Sequence, residues 1–135
     1  MQPNDVALVR VYTKEPGEII SDVTFEVDSD IEVVLEAEAG SAIFGSGASY
    51  KFSFVIRDLS ECVCIYEDEL SGFFGDDNWP ELRTQIVRTV PPRGIQDVIN
   101  NIMQVEAVLL TGGVGPKGAP DASFATSPRF IVYTR

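Results

Sequence analysis

Hydrophobic and polar residues alternate along much of this chain, and the alternation has a period of two. Ser49 to Asp58 places Tyr50, Phe52, Phe54 and Ile56 on one face and Lys51, Ser53 and Arg57 on the other, with Val55 the exception. Side chains point to opposite faces of a strand in succession, so the segment predicts a strand with one buried and one solvated face. Ile31 to Ala39 repeats the pattern, with Ile31, Val33, Leu35, Ala37 and Ala39 inward and Glu32, Glu36 and Glu38 outward. Ile19 to Val27 is expected to alternate likewise, with Val23, Phe25 and Val27 inward, and to form a hairpin with the Ile31 strand through Asp28 to Asp30. Glu26, Glu32, Glu36 and Glu38 then read as solvated.

Further strands are expected at Val6 to Tyr12, Cys62 to Tyr66, Glu81 to Val90, Gln104 to Leu110 and Arg129 to Thr134. In the first, either Ala7, Val9 and Val11 or Val6, Leu8 and Tyr12 face inward. In Gln104 to Leu110 the inward set is Val105, Ala107 and Leu109. Glycines and small residues from Gly40 to Ala48 read as a loop with a short, irregular edge segment, and Thr111 to Pro128 as a long Gly/Pro-rich loop. Gly94 to Ile102 spaces Ile95, Val98, Ile99 and Ile102 at i, i+3, i+4 and i+7, which predicts one short helix.

About eight short strands with regularly spaced turns and one short helix predict a single-domain, all-β protein, an antiparallel β-sandwich spanning residues 1–135. The order of elements resembles immunoglobulin-like and fibronectin-type domains in architecture. The marks of an antibody domain are absent, because no cysteine pair brackets the single tryptophan, Trp79. A jelly roll is the alternative topology.

Composition narrows the chemistry. The chain has no histidine, which removes Ser–His and Cys–His nucleophile pairs, imidazole metal sites and the commonest general base. Its net charge is −11, with the ten Lys and Arg residues scattered, which argues against nucleic acid and against anionic membrane surfaces. No apolar run is long enough to cross a membrane. The first residues carry neither a basic nor an apolar signal region, so the chain reads as cytoplasmic. Cys62 and Cys64 would lie about 7 Å apart on one face of a strand, too far for a disulfide, and are expected to be small buried thiols.

Gly113, Gly115 and Gly118 match a Gly-x-Gly-x-x-Gly phosphate loop. Pro116 and Pro120 forbid the helix that such a loop must open, so the match is accidental. No cofactor is called for.

Ser71 to Pro80 is read as a loop rich in aromatics and acids. Phe73, Phe74 and Trp79 could stack on a sugar or anchor a protein partner, or fold back to cap the core. Asp76, Asp77 and Asn78 are the nearest approach to a calcium ligand set, without EF-hand spacing.

The function expected is therefore non-catalytic recognition or assembly, through loops or an edge strand, with another protein or with itself as a homodimer. Loops 73–79 and 112–122 are the expected contact points. The alternatives are a carbohydrate- or small-ligand-binding sandwich, with or without calcium, and less readily a carboxylate-dependent hydrolase.

Overall fold

In the computed structural model, residues 5–91, 99–112 and 121–134 are described. The chain forms β1 (Val6–Lys14), β2 (Thr24–Glu26), β3 (Ile31–Ala39), a short helix α1 (Ser41–Gly45), β4 (Ser49–Asp58), β5 (Val63–Phe73), β6 (Arg83–Val90), β7 (Met103–Thr111), β8 (Ala122–Thr126) and β9 (Ile131–Tyr133). One sheet runs β1-β3-β6 and a second β5-β4-β7-β8, all antiparallel; β2 and β9 form a small parallel pair. This is the all-β sandwich that the alternation predicts. The two sheets divide seven strands three against four, as two packed antiparallel sheets of an immunoglobulin-like sandwich do, but β5 lies in the sheet of β4, β7 and β8, whereas the constant-type immunoglobulin plan puts its fourth strand in the other sheet.

The core lies between the sheets. Ile31, Val33, Leu35, Ala37, Ile86 and Val90 come from the first; Tyr50, Phe52, Phe54, Ile56, Val105, Ala107 and Leu109 come from the second. Each large apolar side chain fully buried here stabilises by about 1.5–3 kcal/mol. The expected inward sets of β3, β4 and β7 are the ones buried.

The β1 segment satisfies neither of its two candidate registers alone. A bulge between Leu8 and Arg10 shifts the pairing with β3. Val6 and Leu8 face inward before it, and Val11 and Thr13 after it. The extra residue, Val9, is turned out to solvent, and the alternation changes phase.

Several expectations are corrected. Ile19 and Ile20 are exposed, not paired, and only Thr24–Glu26 of the Ile19 to Val27 segment is a strand. The Asp22 carboxylate accepts from the backbone N–H groups of Val23 and Thr24, a local turn that competes with a ladder. The strand pairs with β9 rather than with β3, which is flanked by β1 and β6. Residues 41–45, read as part of a loop, form α1, because burying Ile43 anchors one helical turn. The strand expected at Cys62 to Tyr66 runs on through Glu67 to Glu69 as far as Phe73. The long loop expected over Thr111 to Pro128 contains β8, held by its pairing with β7.

The outward glutamates of β3 are half-buried and engaged: Lys14 lies 2.7 Å from Glu32, Arg83 lies 3.0 Å from Glu38, and Gln85 donates to Glu36. Cys62, in the β4–β5 turn with a left-handed φ of 59°, and Cys64, at the start of β5, are exposed free thiols, so the buried-thiol expectation fails. The helix expected over Gly94 to Ile102 and the glycine-rich stretch 113–120 lie largely outside the described residues. Within the former, residues 99 and 100 form a turn.

Two devices close the flanks of the sandwich. On one side, β8 and the residue before it lend side chains to the edge of β1: Val6 N–H donates to Asp121 and Leu8 N–H to Ser123 Oγ. On the other, Arg88 of β6 reaches Asp68 of β5.

Candidate functional site

The segment from Phe73 to Leu82 carries the chain from β5 across to β6 and folds back over the end of the core. Trp79 is fully buried and Phe74 nearly so. Their rings pack 4.8 Å apart, and both lie against Tyr50, at 5.1 Å for Trp79 and 5.4 Å for Phe74. Trp79 Nε1 donates to the Leu82 carbonyl. Edge-on aromatic contacts of this kind add to the burial energy. Phe74 and Trp79 are therefore turned away from any sugar or partner. Phe73, 64% exposed, is the one of the three at the surface.

Asp76 organises this loop. Its carboxylate accepts from Tyr50 Oη at 2.7 and 2.9 Å and from the backbone N–H groups of Phe73, Asn78 and Trp79. Burial acts to raise the Asp76 pKa, but the Tyr50 bond and the three backbone donors outweigh it and hold the carboxyl below its ordinary value. Tyr50 is pushed the other way, first by its own burial and then by its bond to Asp76. Gly72 makes room: a Cβ there would overlap the Asp76 carboxylate and fall 2.7 Å from Tyr50 Oη. Asp76 is thus committed to the fold. Asp77 and Asn78 are exposed beside it. Among the described residues, no group of three or more His, Cys, Asp or Glu side chains is placed to hold a metal ion.

An open surface that sequence reasoning did not single out is the outer face of the β5-β4-β7-β8 sheet. Register places Lys51 beside Ser71 and Leu110, Ser53 beside Glu69 and Val108, and Val55 beside Glu67 and Glu106. Val108 in turn lies beside Phe124 and Leu110 beside Ala122. Phe124 is 75% exposed, Leu110 is exposed, and Val55 and Val108 are half-buried. A shallow groove of about 250 Å³ runs between Phe124 and Val55. A second, of about 440 Å³, lies among Lys51, Phe73 and Leu110, so Phe73 belongs to this same face. Two ion pairs cross it, Lys51 to Glu69 at 3.0 Å and Arg57 to Glu106 at 3.1 Å. The signal for it in the sequence was weak: Val55, Val108, Leu110 and Phe124 break the polar face of three strands one residue at a time.

No known protein family matches the chain, and no curated protein does. Among solved structures it is similar to AggA, the major subunit of aggregative adherence fimbriae type I from Escherichia coli. The two agree with a TM-score of 0.53 at 14% identity, over 96% of each chain. At that identity the likeness is one of fold.

Proposed function

We propose that this chain is a non-catalytic assembly module whose partner is protein, and in the first instance a second copy of itself. The carrying observation is the outer face of the four-stranded sheet, where Phe124, Leu110 and Phe73 are exposed on a flat, regular surface without a deep cavity. Exposed aromatics on a rigid sheet suit protein contact. The likeness in fold to a fimbrial major subunit supports assembly as the use of such a surface. Against catalysis stand the lack of histidine and the structural engagement of the inward carboxylates Asp58, Asp68 and Asp76.

Sedimentation velocity of the full chain over a wide concentration range tests the reading. A mass that rises with concentration towards a discrete oligomer is expected. A monomer throughout overturns self-association as the function.

A further inference from the structure

We infer that two copies pack face to face through the outer surface of the β5-β4-β7-β8 sheet, about a twofold axis that runs parallel to the strands between β4 and β7. The inference rests on the assembly reading above and specifies its surface and geometry.

Charge and exposed aromatic surface together select the face. The chain carries −11, so two copies repel over most of their surfaces. On this face Lys51 and Arg57 stand against Glu67, Glu69 and Glu106, a balance of −1. The outer face of β1-β3-β6 is balanced as well, with Arg10, Lys14 and Arg83 against Glu32, Glu36 and Glu38, so the exposed rings of Phe124 (75%) and Phe73 (64%) decide for the four-stranded sheet. At about 4.8 Å between strands and about 3.3 Å per residue, β5, β4 and β7 with the shorter β8 give a face of roughly 550 Å² on each copy. Two such faces reach the lower bound for a specific interface.

Charge also selects the axis. With the axis parallel to the strands, each β4 lies over the partner's β7 and each β5 over the partner's β8. Arg57 and Glu106 straddle that axis, so the two copies of the pair meet as a ring of four alternating charges. The acidic strand β5, with Glu67 and Glu69, lies over β8, whose residues Ala122 to Thr126 carry no charge. With the axis across the strands, each strand would lie over its own copy. Glu67 would then oppose Glu69, and Lys51 would oppose Arg57, both like-charge pairings.

Edge-to-edge pairing is disfavoured independently. The free edge strands β5 and β6 point Asp68 and Arg88 inward, and β5 carries three consecutive acids that would face themselves in an antiparallel pair.

The experiment has two arms. In sedimentation equilibrium, Phe124→Ser is expected to weaken dimerisation at least tenfold. At concentrations low enough that both chains are monomeric its melting temperature should stay unchanged, because the ring is exposed in the monomer. A dimer that persists undiminished in Phe124→Ser overturns this face while leaving the assembly reading intact. In the second arm, Cys62 and Cys64 are first replaced by serine. A mixture of Ser53→Cys and Val108→Cys chains is then expected to form a disulfide-linked heterodimer on mild oxidation, because these register neighbours exchange places about the axis. Linkage of Ser53→Cys to itself in preference to the mixed pair overturns the axis.

Discussion

Arg88 and Asp68 join the two sheets across an otherwise open side of the sandwich, with Nε 2.8 Å from Oδ2 and Nη2 3.2 Å from Oδ1. The paired geometry holds the Asp68 carboxyl below its ordinary pKa, against burial, with the Glu69 N–H assisting. Since the folded value lies below the unfolded one, the contribution is complete above the unfolded pKa of about 4 and is lost as pH falls through the folded value. Asp68→Asn is expected to cost about 1–2 kcal/mol at neutral pH. Urea midpoints measured from neutral to acid pH should show the variant and the parent converging. A constant gap down to the lowest pH would contradict this role.

The Tyr50–Asp76 bond gives an opposite pH limb. Tyr50 is raised above its ordinary pKa, so its protonated form is favoured in the folded state. That stabilisation is present below about pH 10 and is lost as pH rises further. Tyr50→Phe should cost about 1 kcal/mol near neutral pH and blunt the alkaline loss. Asp76→Ala should cost more, about 2–3 kcal/mol, because it strands the tyrosine hydroxyl and three backbone donors together. Unfolding followed by Trp79 emission reads both. A smaller cost for Asp76→Ala than for Tyr50→Phe would refute its part in organising the loop.

Gly72 and Gly45 should respond differently to alanine. At Gly72 the new Cβ meets a carboxylate pinned by four donors, and the strain is expected to cost about 2–3 kcal/mol. At Gly45, in α1, nothing lies within 4 Å, and alanine is expected to be neutral or to stabilise by up to about 0.5 kcal/mol. Thermal melts of the two variants make the comparison directly, and equal effects would argue against the close approach at Gly72.

Cys62 in the β4–β5 turn and Cys64 at the start of β5 are both exposed. A thiol reagent added to the native chain should titrate both quickly, without denaturant. Slow reaction that matches the global unfolding rate would mean that the thiols are covered.

The sequence by itself determined the class of fold. In β3, β4 and β7 the burial of one face and the solvation of the other impose a strict period of two, and Leu35, Phe52 and Leu109 could be assigned inward from spacing alone. It also narrowed the chemistry through the missing histidine, and it offered capping as one role for Phe74 and Trp79. What it left open depends on contacts distant in the chain. The bulge that changes the phase of β1 is visible only in its pairing with β3. The short strand β8 has small inward residues and an outward phenylalanine, so no alternation announces it; β7 makes it a strand. Asp76 reads as a candidate ligand until Tyr50, remote in sequence, is seen to donate to it. The outer sheet face exists only because register sets Val55, Val108 and Phe124 side by side. Periodicity reports which face a residue takes, whereas strand order and register decide its neighbours, and those are fixed by the packing of the whole chain.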